Sequence, residues 1–285
     1  MRPDPGAAVA ALEPFEAFAS AVGRRLARPA DGWEPNDLLV DRLAWDSLRV
    51  LEVLGWLREL GIELPEELVG ELRTLGDLHH YVVTIGSRVE ATPPPPRTPL
   101  VGPRVRLEPL TAQYEGEALA LYTAGSHLTR YRLRGATPSP EAFRQTLWDR
   151  VLAQFVVIGE GKVLGLVSAF QPDFRNRHAH IAVVARPDAP PGAGMEGTAL
   201  LLEHLFSEFD LRKVYAEIMA PNGEAFASGA GRVFVIEGRL TEHEFLDGAF
   251  HDMLVMAISR DRWAAHVDQL LGPRPEAGSD APATV

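Results

Sequence analysis

At 285 residues the chain has the length of two domains, and its 46% apolar and 24% charged residues are the composition of a soluble globular protein. The absence of cysteine removes disulfides, cysteine metal sites and a thiol nucleophile, and a formal charge of −11 argues against nucleic acid as a partner. No apolar run reaches the length of a membrane span, and Met1-Arg2-Pro3-Asp4-Pro5 lacks a signal-peptide core, so a cytoplasmic protein without a membrane partner is expected.

Val9, Leu12, Phe15, Phe18, Val22 and Leu26 recur at threes and fours and predict a helix over about 7–28. A loop through Pro29-Ala30-Asp31-Gly32-Trp33 leads to Trp45-Asp46-Ser47-Leu48. Asp46 is a natural N-cap, because its carboxylate accepts a free backbone N–H. Leu48, Leu51 and Leu54, with Val50 and Leu57 beside them, form a core-facing row, and Arg49, Glu52, Arg58 and Glu59 are expected in water. Ser47 then sits in the first helical turn with its hydroxyl exposed, where phosphate is favoured. Asp-Ser-Leu by itself equally describes an ordinary capped helix. Gly61 ends this helix, Pro65 blocks its resumption, Glu66 to Val69 reads as a short third helix, and Gly76-Asp77-Leu78 opens a fourth.

Together with Gly61-Ile62-Glu63-Leu64-Pro65, Thr74-Leu75-Gly76-Asp77-Leu78 and Tyr81-Val82, this pattern resembles an acyl carrier protein over about residues 10–86. The resemblance implies an all-α four-helix carrier bundle over 7–86. It also implies covalent 4′-phosphopantetheine on Ser47, a phosphopantetheinyl transferase that attaches it, and an acyl-loading enzyme as a further partner.

Residues 87–103 follow, with Pro93-Pro94-Pro95-Pro96 at their centre. Proline fixes φ and removes a donor, so an extended spacer between independently moving domains is expected. Beyond it, strands at Arg104–Leu107, Phe155–Ile158, Val163–Val167, His180–Ala185, Val214–Ile218, Val233–Ile236 and Met253–Ile258 alternate with helices at Tyr114–Thr123, Glu141–Leu152 and Thr198–Phe209. Asn222 begins a weak helix. The Pro-, Gly- and Ala-rich residues 272–285 read as a disordered tail.

The element order, and the strings Arg175-Asn176-Arg177-His178-Ala179-His180-Ile181, Leu211-Arg212-Lys213-Val214-Tyr215-Ala216-Glu217, Glu237-Gly238-Arg239-Leu240 and His251-Asp252-Met253-Leu254, resemble GNAT-superfamily acetyltransferases over 104–271. The resemblance implies an α/β fold with a central mixed, mostly antiparallel sheet. It also implies an acyl-CoA diphosphate on a Q/R-x-x-G-x-G/A loop that opens a helix. Read against Pro191-Gly192-Ala193-Gly194-Met195-Glu196, that pattern keeps Gly194, with Gly192 beside it in the loop. It puts Pro191 at its first position and Glu196 at its last. A carboxylate there would compete with a ligand phosphate near the helix dipole, unless it swings out into solvent. The resemblance further gives Val183, on the fourth strand, and Asn222 contacts to pantetheine. It aligns Gly229 with a tyrosine acid of the family, leaving Ser228 as a substitute donor. His180 has a suitable pKa for a general base, although a strand histidine beside His178 also serves structure. His251 and Asp252 are adjacent and less suited, and the histidines have no metal-ligand spacing.

The expected function is therefore an acyltransferase with a built-in carrier. An acyl group would pass between the Ser47 phosphopantetheine thioester and a small-molecule acceptor, an amine, in specialised metabolite biosynthesis. Two alternatives stay open: the second domain loads the carrier thiol from coenzyme A or acyl-CoA, or it is a non-catalytic docking module.

Overall fold

The computed structural model describes residues 5–62, 64, 72–86, 100–127 and 131–272. The short third helix expected at 66–69, residues 87–99 of the spacer expected at 87–103, and all but Gly272 of the tail expected at 272–285 lie outside the described residues.

The N-terminal part is helical. In place of one helix over 7–28 there are two, α1 (Pro5–Leu12) and α2 (Phe15–Arg25). Pro14 separates them with an extended backbone, φ −69° and ψ 127°, because proline does not continue a helix it interrupts. Helix α3 (Ser47–Glu59) starts where the sequence places it, and Asp46 caps it by accepting from the Arg49 N–H at 3.0 Å. Helix α4 (Leu75–Gly86) opens with a capping box: Asp77 N–H donates to Thr74 Oγ1, and Asp77 Oδ2 accepts from Thr74 N–H. Phe18, Val22, Leu43, Val53, Leu57, Leu75, Leu78 and Val82 form the core of this unit. Burying each such side chain contributes about 1.5–3 kcal/mol.

The row expected to face one core faces two. Val53, Leu54 and Leu57 enter the helical core, whereas Leu48 and Leu51 join the core of the C-terminal half. Glu52, expected in water, is buried between the two, at 2% exposure.

The C-terminal half is one mixed seven-stranded sheet, ordered β1-β2-β3-β4-β5-β7-β6. The strands are β1 (Arg106–Pro109), β2 (Val151–Gly159), β3 (Lys162–Asp173), β4 (His178–Ala185), β5 (Lys213–Met219), β6 (Val235–Leu246) and β7 (Ala249–Ser259). All neighbours are antiparallel except β4 and β5, which are parallel and need a crossover. That crossover is α7 (Ala193–Glu208), an apolar helix whose Leu200, Leu201 and Leu205 are buried on one face of the sheet. On the other face, α5 (Glu115–Thr123) and α6 (Pro140–Leu147) bury Leu121, Phe143 and Leu147 against Val156, Ile158, Leu166 and Val184. A 3₁₀ segment, Ala220–Gly229, stands where the weak helix was expected. A final helix, α8 (Arg260–Leu271), unforeseen in the sequence reading, packs Trp263, Val267 and Leu270 into the α7-side core.

Two boundaries move for identifiable reasons. The helix expected to run to Leu152 stops at Leu147, because Arg150 takes a left-handed φ of 53° and β2 begins at Val151. Strand β6 extends to Leu246, because Asp247 and Gly248, with φ of 51° and 82°, close a tight hairpin to β7.

Candidate functional site

The parallel pair β4 and β5 is joined only over His178–Ile181 and Lys213–Ala216. Beyond Ile181 and Ala216 the strands part, although β4 runs to Ala185 and β5 to Met219. Each keeps its other neighbour, β3 or β7, so the sheet splits into a V at this place. The facing backbone edges, Val183 among them, are left free to bond a ligand.

Alternation puts Ala179 and Ile181 into the α7-side core and His178 and His180 on the opposite face. There His180 Nδ1 lies 3.8 Å from Glu217 Oε1, at the mouth of the V. The Tyr215 ring lies 5.5 Å from both the His178 and the His180 rings, and Phe170 lies 5.9 Å from His180. Lys213 Nζ donates to Glu237 at 2.6 Å, and the Tyr215 hydroxyl donates to the same carboxylate at 3.2 Å. Partial burial is the main influence holding His180 below the ordinary histidine value, with Glu217 opposing it. A neutral imidazole with a carboxylate behind it is suited to accept a proton.

At the far end of the V, α7 begins. Gly192 is its N-cap with φ 83°, a conformation that favours glycine. A Cβ on Gly194 would lie 3.1 Å from Ala185 Cβ and 3.6 Å from Val183 Cγ2, so the first turn of α7 rests against the free end of β4. The helix starts between the two glycines.

Glu196 lies in the first turn of α7, with its side chain fully buried. It accepts from the backbone N–H groups of Arg104 and Val105 at 2.7 and 3.1 Å, and from Arg104 Nε at 2.9 Å. The expected competition between Glu196 and a phosphate is thus overturned: the carboxylate is neutralised inside, and solvent does not reach it. Arg104, 5% exposed, also donates from Nη1 to the Pro191 carbonyl. Its Nη2 is buried without a hydrogen-bond partner, and lies 3.0 Å from where a Gly192 Cβ would stand. The loop that opens α7 thus has the Arg104 guanidinium beneath it. Sequence reasoning missed this, because residues 104 and 192 are distant along the chain.

Asn222 is half-buried within the 3₁₀ segment, not at its cap, which is Met219. With Met219, Pro221, Leu246 and His251 it lines a cavity of about 230 Å³. Asp252 is tied into the β6–β7 hairpin by Arg239 and the Glu242 N–H. A larger depression of about 610 Å³ lies by the β2–β3 turn, at the opposite end of β3 from Phe170. Ser228 and Gly229 sit at the end of the 3₁₀ segment against α3, where the Ser228 hydroxyl donates to Asp46 Oδ1 at 2.7 Å. Ser47 is half-exposed beside them. Among the described residues no group of histidine and acidic side chains has metal-binding geometry, and no helix is long and apolar enough to cross a membrane.

No family model matches the chain. Over 126 residues it is 26% identical to spermidine N(1)-acetyltransferase of Vibrio cholerae serotype O1, spanning 43% of this chain and 72% of that protein. A spermidine N-acetyltransferase from Vibrio cholerae, solved with CoA and spermine, is similar with a TM-score of 0.49 at 20% identity, over 56% of this chain and 98% of the other. An acetyltransferase of T. thermophilus gives 0.48 at 24% identity, over 60% and 94%. The sequence likeness to an acetyltransferase thus accounts for 43% of the chain. The carrier reading of the helical unit rests on its sequence resemblance alone.

Proposed function

We propose that the C-terminal half is an N-acyltransferase that moves an acyl group from a pantetheine thioester to an amine. The observation that carries this reading is the V between β4 and β5, with the His180–Glu217 pair on one face of its mouth and the α7 N-terminus closing its far end.

The residues present fit a pantetheine thioester. Val183, on the free edge of β4, and Asn222, beside the end of β5, would hold the pantetheine arm. In the first turn of α7 the Ala193 N–H is taken by the Pro190 carbonyl at 3.1 Å, so the Gly194 and Met195 N–H groups would meet a phosphate, with Arg104 beside Gly192. The thioester supplies an activated acyl group. His180 takes the proton of the attacking amine, Glu217 steadies the imidazolium that results, and strand N–H groups polarise the carbonyl. As the C–N bond forms the C–S bond breaks, the pantetheine leaving as a thiol with a proton returned by the imidazolium or solvent. Val183 and the loop glycines keep the donor oriented throughout. Because the relative acts on spermidine, a polyamine is the first acceptor to try.

The donor reading goes further: the arm is 4′-phosphopantetheine on Ser47. Ser47 opens a capped helix, where phosphate is favoured, and its neighbour Asp46 bonds Ser228 at the end of the segment that carries Asn222. A donor tethered in the same chain has an effective concentration in the millimolar range. Intact-mass measurement after co-expression with a phosphopantetheinyl transferase tests the attachment, and Ser47→Ala should abolish the mass increase. Assays with acetyl-CoA and with acyl-loaded protein, each against spermidine, then separate the donors. Acyl transfer from acetyl-CoA to the carrier thiol would favour loading over amine acylation, and no turnover with either donor would leave a docking module.

A further inference from the structure

Glu52 is a charged residue on the apolar face of α3, and its burial calls for a reason. Its Oε1 accepts from Arg232 Nη2 at 2.5 Å, and its Oε2 is buried without a partner. Arg232 in turn donates from Nε to the Ser228 carbonyl at 3.1 Å. Ser228 gives its N–H to Asp46 Oδ2 at 2.8 Å and its hydroxyl to Asp46 Oδ1 at 2.7 Å. Both carboxylates of this α3 face therefore converge on the end of the Ala220–Gly229 segment.

The surface between them is shaped for close contact. A Cβ on Gly229 would meet Leu48 Cδ2 at 2.7 Å, so Leu48 fills the space a larger residue there would take. Gly55 approaches the Gln269 carbonyl of α8, with only 2.8 Å for a Cβ. Leu48 and Leu51 share one core with Val233, Phe234, Val267 and Leu270. The held segment is ill suited to stand by itself: it is 3₁₀ and contains Gly223 and Gly229. Its other end carries Asn222 beside β5.

We propose that Asp46 and Glu52 are positioning residues of the donor cleft: the helical unit grips the Ala220–Gly229 segment through Ser228 and Arg232, and so holds Asn222 in place. This rests on the cleft reading given above, but not on any modification of Ser47. The helical unit is then a working part of the transferase and not a freely swinging module.

The test uses the full chain with Arg232→Glu, Glu52→Arg and the double exchange, and coenzyme A as the probe in titration calorimetry. Hydrogen exchange of residues 220–229 is followed in parallel. Each single change should speed that exchange and weaken CoA binding on the order of tenfold, a coupling of ordinary size. The double exchange should restore both. Asp46→Asn keeps one acceptor, for the cap and the Ser228 hydroxyl, but turns an amide donor toward the Ser228 N–H, so it should weaken binding less than Asp46→Ala does. Faster exchange with unchanged CoA affinity would overturn the proposal, leaving the contact as packing alone, and so would a double exchange that folds but fails to restore binding. A parent chain that binds neither coenzyme A nor 4′-phosphopantetheine would remove the cleft reading and the proposal with it. The exchange data would still tell whether α3 holds the segment, so the two failures are distinguishable.

Discussion

Among single residues, chemistry and stability meet in two carboxylates. Glu196 neutralises the buried Arg104 and satisfies two backbone N–H groups. Removing one partner of such a pair strands the other charge, which costs about 3–5 kcal/mol. Glu196→Ala should lose that much in denaturant unfolding. A loss below about 1 kcal/mol, the range of exposed pairs, would mean the pair is solvated. Glu217 acts on His180 in the opposite sense to burial. If His180 is the base, kcat/KM falls as pH drops through a value below the usual histidine range. Glu217→Gln removes the influence that raises it, so the acid limb should move to still lower pH. A limb that stays in place, or His180→Ala with parental activity and pH dependence, would make the histidine structural.

Among the elements, α3 and α4 offer a comparison. Asp77 caps α4 from within the helical unit, and backbone donation from Thr74 holds its carboxyl below the ordinary value. Asp46 caps α3 and also receives both donors of Ser228. Loss of a cap costs about 1 kcal/mol. Asp77→Ala should therefore cost about that, and Asp46→Ala clearly more, because two cross-unit bonds go as well. Equal losses by thermal unfolding would mean that the contact with Ser228 contributes nothing. The hairpin between β6 and β7 was legible in principle, since Asp-Gly at 247–248 is a tight-turn signal. The same holds for α8, where Trp263, Val267 and Leu270 recur at helical spacing.

Across the molecule as a whole, the expectation of independently moving domains meets a shared core and a buried Glu52 paired with the half-buried Arg232. If Ser47 carries the donor, it serves its own cleft. Mixing Ser47→Ala with His180→Ala protein should then restore no activity, whereas recovery in the mixture would show delivery between molecules. Stability should also follow pH through the buried imidazoles. Burial lowers both His180 and His204, so the unfolded chain takes up protons first as pH falls below about 6.5. The melting temperature should decline from pH 7 to pH 5. It should decline again in the carboxylate range, where Asp77 and Asp252 are held low by backbone donors. A melting temperature that is flat between pH 7 and pH 5 would contradict the first of these.

Local structure was already written in the order of residues. Apolar spacing, Asp46 as a cap and alternation in the strands located α3 and most of the sheet, because those signals act between residues close in the chain. The same order placed the start of α7 five residues late, at Thr198, and only the family resemblance tied Gly192 and Gly194 to the opening of that helix. Pairing across distance was not legible there. Glu196 looked like an obstacle to phosphate until α7 turned it onto Arg104, 92 residues earlier. Glu52 looked solvent-facing until Arg232, 180 residues later, met it. A charged side chain is placed by whichever partner the fold brings to it, and burial makes that partner obligatory. Which partner that is depends on how distant segments pack, and no local pattern carries that information.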